Sequence, residues 1–172
     1  EFAISIETKL KSKKIRYDIF SKEINKLFIC ANTLGIKPLI LKGIVLATDL
    51  FNPIEIRTSH DMDILIDFSE LLLMDKILRN NGYVVLNEDT YTNTVYYVIN
   101  FSSIRNELTH TTPYHKEIEN NEACDIDLHI HFCHYFPEIG MDDERSPIKK
   151  SVELTIPFIN HKVRTLDKYD TI

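Results

Sequence analysis

Two aspartates separated by one residue stand in the run Asp61-Met62-Asp63-Ile64-Leu65-Ile66. Polar and apolar side chains alternate there, and a strand sends successive side chains to opposite faces. Asp61 and Asp63 then share one face, with Met62 and Ile64 on the other. Two ionised carboxylates side by side repel, which costs stability unless a cation lies between them. Hard divalent cations with oxygen ligands meet that need, and Mg²⁺ is the common choice where phosphates are handled. On this reading Asp61→Asn or Asp63→Asn leaves the melting temperature level or higher, because crowded charge is relieved.

A second strand pattern covers residues 124–132, CDIDLHIHF, the cleanest alternation in the chain. Cys124, Ile126, Leu128, Ile130 and Phe132 form an apolar face that sets the register against a core. Asp125, Asp127, His129 and His131 form the other face. Upstream of both segments, Lys42-Gly43 links an apolar run at residues 36–41 to a helical pattern at 44–51, which Asn52-Pro53 stops. Glycine between a strand and a helix lets backbone N–H groups approach a phosphate, and the helix N-terminus adds a favourable field. Lys42 could reach a β- or γ-phosphate. Arg57 and Ser59 lie in the polar loop before Asp61. Arg57 could contact a triphosphate or offset the crowded carboxylates, and Ser59 could cap the turn. Carboxylates from two neighbouring strands beside a lysine-glycine turn make a two-metal phosphoryl-transfer arrangement.

These motifs together resemble the polymerase β-like nucleotidyltransferase superfamily. LKGIVLATDLF, IRTSHDMDILID and DIDLHIHF are most similar to its "uncharacterised nucleotidyltransferase" branch, over roughly residue 24 to the end. Where the superfamily carries Gly-Ser or Gly-Gly at the turn, this chain has Gly43-Ile44, leaving backbone N–H groups without a side-chain hydroxyl. The resemblance implies an α/β (α+β) fold, a mixed twisted sheet flanked by helices. It implies transfer of a nucleoside monophosphate from an NTP, ATP among them, to an acceptor, with pyrophosphate released. Asp61, Asp63 and Asp127 would be the catalytic residues and ligands of Mg²⁺, with Asp127 also helping to deprotonate the acceptor, Mn²⁺ as an alternative ion and Asp125 as the fallback third carboxylate. Lys42, Gly43, Arg57 and Ser59 would hold the nucleotide. The acceptor (small molecule, peptide, protein or RNA end) is open.

Two other readings stand beside it. His129-x-His131 on one strand face, with His134, His110 and His115, could ligate Zn²⁺ or Fe²⁺ in a hydrolase. Against this, no later His-x-x-His or His-Glu-x-x-His follows, and the acidic pairs go unexplained. A non-catalytic nucleotide- or partner-binding module is the third.

The 172 residues suffice for one domain with a real core. Hydrophobic residues make up 44% and charged residues 27%, an ordinary globular balance that argues against wholesale disorder. The net charge of −6 argues against broad nucleic-acid binding, which depends on neutralising phosphates. No apolar run has the length of a membrane span. Cys30, Cys124 and Cys133 read as reduced core thiols in a cytoplasmic protein.

The carboxylates need elements to hold them. Residues 8–34 predict an amphipathic helix, with Ile15, Ile19, Phe20, Ile24, Leu27, Phe28, Ala31 and Leu34 inward and Gly35 ending it. The basic run at 9–16 predicts a solvated face. Residues 67–81 predict a helix capped by Asp67 or Ser69 and stopped by Gly82, with Leu71, Leu72, Met74, Ile77 and Leu78 inward. Strands are expected at 82–86 and 94–101 with 87–89 as the turn, an irregular or strand-like excursion over the surface at 102–121, a loop at 134–146, and a hairpin from 151–158 to 161–165 through Asn160. Residues 1–35 are thus expected to be a helical segment packing on a catalytic core at 36–172. The chain opens without Met, and TLDKYDTI reads as the start of a helix. A core cut short of a C-terminal helical region is therefore expected.

Overall fold

The computed structural model describes residues 2–43, 45, 47–48, 61–100, 111–118, 122–130, 151–155 and 162–166. In chain order the elements are α1 (Phe2–Thr33), β1 (Leu39–Ile40), β2 (Asp61–Leu65), a 3-10 turn (Phe68–Glu70), α2 (Leu71–Asn80), β3 (Val84–Val85), α3 (Glu88–Asn100), β4 (Tyr114–Glu117), β5 (Ala123–His129), β6 (Val152–Leu154) and β7 (Val163–Thr165). The strands form one mixed sheet in the order β3-β4-β5-β2-β1-β7-β6. The pairs β2/β5 and β1/β7 are parallel, and the others are antiparallel. The α/β fold expected from the sequence is therefore the fold observed.

The central register sorts side chains onto two faces. Asp61, Met62, Asp63, Ile64 and Leu65 of β2 pair with Asp125, Ile126, Asp127, Leu128 and His129 of β5. Met62, Ile64, Ile126 and Leu128 join the main core beneath α1 and α2, together with Ile24, Leu27, Phe28, Met74 and Leu78. Burying each such side chain contributes about 1.5–3 kcal/mol. The alternate residues turn the other way, and there the surface is polar at Asp61 and Asp63 but apolar at Leu65. Leu65 packs with Leu39, Leu41 and Leu166 in a separate small cluster. One strand therefore serves two cores and still presents two carboxylates.

Helix α1 buries Tyr17, Phe20, Ser21, Ile24, Leu27, Phe28 and Ala31, spaced three and four apart, so they form a single stripe. It begins before the expected residue 8, and Ile15 and Leu34 are exposed rather than inward. Of the basic run at 9–16, Lys13 and Arg16 are half-buried and the rest exposed, so the face is solvated apart from those two, and Arg16 pairs with Glu122. After the helix, Gly35 takes φ 82° and Ile36 N–H returns to Ala31 O at 3.0 Å, closing the C-terminus.

At the entry to α2, Asp67 accepts from Ser69 N–H while Glu70 accepts from Asp67 N–H, a reciprocal capping box. The cap is Asp67. Leu72, expected inward, is exposed, while Leu71, Met74, Ile77 and Leu78 are buried.

The expected strand at 94–101 is a correction: these residues belong to α3 up to Asn100. Their β-branched and aromatic content favours a strand, but the residues ahead of them start a helix. Asn87 Oδ1 accepts from Thr90 N–H at 2.9 Å, and Glu88 and Asp89 fill the first turn. Arg79 holds Glu88 through both of its carboxylate oxygens, and Tyr91 and Thr94 are buried on one face. Within 102–121, the strand-like alternative holds at Tyr114–Glu117, which form β4. The hairpin is present as the antiparallel pair β6/β7. Asn160, the loop at 134–146 and the end of the chain lie outside the described residues.

Candidate active site

The site is built on the face of β2 and β5 away from the helices. In register, Asp63 stands opposite Asp127, and Asp61 opposite Asp125. The next strand outward adds His115 opposite Asp125. On the other side β1 runs antiparallel to β2, and Leu41 N–H donates to Asp63 O at 3.0 Å, bringing the Lys42-Gly43 turn beside the carboxylates. The three aspartates from separate segments thus share one surface next to the glycine bend.

Asp63 is the electrostatic centre. Its Oδ1 lies 2.9 Å from His129 Nε2 and 3.9 Å from Lys42 Nζ. An ionised carboxylate can only accept, so Nε2 carries the proton of that bond. The His129 hydrogen bond lowers the Asp63 pKa, burial opposes this, and the Lys42 charge lowers it again. The repulsion expected between paired aspartates is thus offset at Asp63 by groups of the chain itself. Asp61 is exposed and Asp127 half-buried, and each has a further polar or electrostatic interaction.

Gly43 is buried with φ 60°, a conformation that costs other L-residues about 1–2 kcal/mol. Ala47 N–H donates to Gly43 O at 3.0 Å, and Val45, Ala47 and Thr48 are helical, so the turn does lead into a helical segment. Lys42 remains 62% exposed at its side chain. Arg57 and Ser59 lie outside the described residues, as do His110, His131 and His134.

The donors fit a hard divalent cation in chemistry and in backbone placement: carboxylate oxygens on one face of adjacent strands. Among the described residues, however, no three His, Cys, Asp or Glu side chains converge closely enough to hold a metal ion. Asp63 is turned instead to His129 and Lys42. As for the histidine-ligated alternative, His129 faces Asp63 and His115 faces Asp125, each engaged with a carboxylate. Cys30 is half-buried and Cys124 is buried on the helix side beneath Tyr83, while Cys133 lies outside the described residues.

A mixed sheet carrying acidic side chains from neighbouring strands beside a strand–glycine–helix turn defines a nucleotidyltransferase-type core. The family model described as "Uncharacterised nucleotidyltransferase" matches residues 3–168, and the chain belongs to that family. No curated protein and no solved structure matches the chain. Among the described residues no helix is long and apolar enough to cross a membrane.

Sequence reasoning assigned neither the His129–Asp63 bond nor the His115–Asp125 bond. The first had a signal, because His129 shares its strand face with Asp127. The second depends on how β4 pairs with β5, and that segment read only as irregular or strand-like, with no register.

Proposed function

We propose that this chain transfers a nucleoside monophosphate from an NTP to an acceptor, releasing pyrophosphate, in a Mg²⁺-dependent reaction. The observation that carries the proposal is the parallel register placing Asp63 against Asp127, with Asp61 on the same face and the Lys42-Gly43 turn alongside.

Asp61, Asp63 and Asp127 would hold Mg²⁺, which when bound neutralises charge on the reacting phosphate oxygens. To hold the ion, the Asp63 carboxylate would have to give up His129 and Lys42. Lys42 would then be available to the β- and γ-phosphates, and Gly43 would let the backbone approach them. His129 keeps the Asp63 carboxylate ionised and oriented until nucleotide arrives. Net negative charge on the chain suits a single nucleotide paired with a cation better than an extended nucleic acid.

The test is the full chain with each α-labelled NTP and Mg²⁺ in a cell lysate, asking which molecule becomes tagged. Asp63→Asn is expected to abolish tagging. Tagging unchanged in both Asp61→Asn and Asp63→Asn would end the assignment.

A further inference from the structure

We propose that the β3 edge of the sheet is an acceptor subsite, where Val84 and Leu86 receive the aliphatic chain of an alcohol whose hydroxyl reaches the aspartates. This rests on the nucleotidyltransferase reading and names the acceptor class for the same site.

Leu86 and Val84 are the two most exposed large apolar side chains among the described residues, at 61% and 57%. They share one face of one strand. Tyr83 and Val85, the alternate residues, are buried in the main core. Val84 pairs with His115, and His115 pairs with Asp125, so Val84 lies on the face that carries the aspartates. Leu86 N–H donates to Pro113 O at 3.0 Å, which carries the pairing of β3 with β4 one step further. The period of two returns Leu86 to the face of Val84. Native sheet edges are commonly blunted by charge, since an apolar edge invites contact. The opposite edge follows that rule, because Glu153 on β6 is ion-paired to Lys162 at 3.1 Å. The β3 edge carries valine at both positions instead.

The face is thus graded. It runs from aliphatic side chains on β3, past His115 on β4, to the aspartates of β5 and β2, and ends at Lys42 after β1. Strands lie about 4.8 Å apart, so β3 is roughly 10 Å from β5. In-line displacement at phosphorus puts the entering and leaving oxygens on opposite sides. With pyrophosphate leaving over Lys42, the acceptor enters from the β3 side. The nucleoside, bonded to the same phosphorus, stands equatorial to that line. A chain of roughly eight carbons covers the gap from the entering oxygen to β3. The step balances. The acceptor oxygen bonds to the α-phosphorus and its proton passes to water. The bond to the bridging oxygen breaks, and pyrophosphate leaves with the electron pair.

Straight-chain alcohols are the probes. The full chain is incubated with Mg²⁺, each of the four α-labelled ribonucleoside triphosphates, and methanol, butanol, hexanol or octanol. Nucleotide alkyl ester is counted per mole of alcohol, and NTP binding is followed by calorimetry. Methanol, too short to reach β3, reports on folding and chemistry. Octanol is expected to exceed butanol by about 10-fold or more, since each buried methylene contributes up to about fourfold. Val84→Ser combined with Leu86→Ser is expected to lower the octanol-to-methanol product ratio by about 10-fold, with NTP affinity within about twofold of wild type. Equal ester yield along the series, or an unchanged ratio in the double variant, overturns the proposal. Weaker NTP binding with the ratio unchanged would make the edge a nucleoside site. A wild-type dimer that the double variant splits in sedimentation, with the ratio unchanged, would make it an interface between copies. Either outcome overturns the proposal. A wild-type chain that makes no alkyl ester, or binds NTP with no help from Mg²⁺, instead overturns the underlying reading and this inference with it.

Discussion

Asp63 accepts a hydrogen bond from His129 across two parallel strands, at 2.9 Å, although His129 stands two register positions beyond it, opposite Leu65. The histidine reaches back along the sheet because its own level is apolar, filled by Leu65 and Leu39. A carboxylate that would otherwise be crowded is thereby supported.

On that support Asp63→Asn is predicted to destabilise the fold, whereas charge crowding alone predicts a level or higher melting temperature. The folded pKa of Asp63 is depressed below the ordinary value of 3.8, chiefly by His129. A depressed acid stabilises the fold above its unfolded pKa, and the contribution is lost as pH falls through the folded pKa. Wild type should therefore lose stability below about pH 4. Asp63→Asn should melt below wild type at neutral pH, and the difference should narrow in acid. Thermal melts from pH 7 to pH 2.5 check this; parallel curves would contradict it. Asp61→Asn, at an exposed position, should melt close to wild type.

Lys42→Ala should weaken Mg²⁺-dependent NTP binding by about 10–100-fold, the loss of one hydrogen bond to a charged group. The same change should leave chemical denaturation nearly unmoved, because exposed ion pairs contribute little. Calorimetric titration with NTP, beside a urea melt, measures both. Equal NTP affinity in the variant would detach Lys42 from the phosphates.

Gly43→Ala should cost about 1–2 kcal/mol of stability, since φ 60° is unfavourable for any residue with a Cβ. A urea unfolding curve with an unchanged slope and a lower midpoint is the expected readout. Stability equal to wild type would mean that the turn is free to relax.

Ile126→Ala should destabilise the fold by about 2–5 kcal/mol, because Ile126 is fully buried at the centre of β5. It stands between Asp125 and Asp127, so a cavity beneath it should also loosen both, and NTP binding should fall along with stability. A loss below 1 kcal/mol in urea unfolding would show that the core closes over the gap.

Periodicity carried much of the fold. Alternation of Asp61, Met62, Asp63 and Ile64 placed two carboxylates on one strand face, and Asp125, Asp127 and His129 followed by the same rule. Asp67 or Ser69 marked a helix start, and the α2 core could be read apart from Leu72. Short-range patterns failed where competing signals met. Around Tyr96 and Tyr97, β-favouring side chains lost to the cap at Asn87 and to Glu88, which Arg79 holds from another helix. At residues 114–117 the strand exists because it pairs with β3 and β5, not because of its own four residues.

The sequence by itself determined which side chains share a strand face, since period two is a local property of the backbone. It also determined where glycine must bend the chain, as at Gly35 and Gly43, because only a residue without a Cβ is comfortable at those φ values. The tertiary structure alone decided which strands are neighbours and in what register. That choice set Asp63 against Asp127, gave His129 and Lys42 to Asp63, and gave His115 to Asp125. Such pairings depend on contacts between residues 10 to 66 positions apart in the chain, beyond the reach of any local pattern.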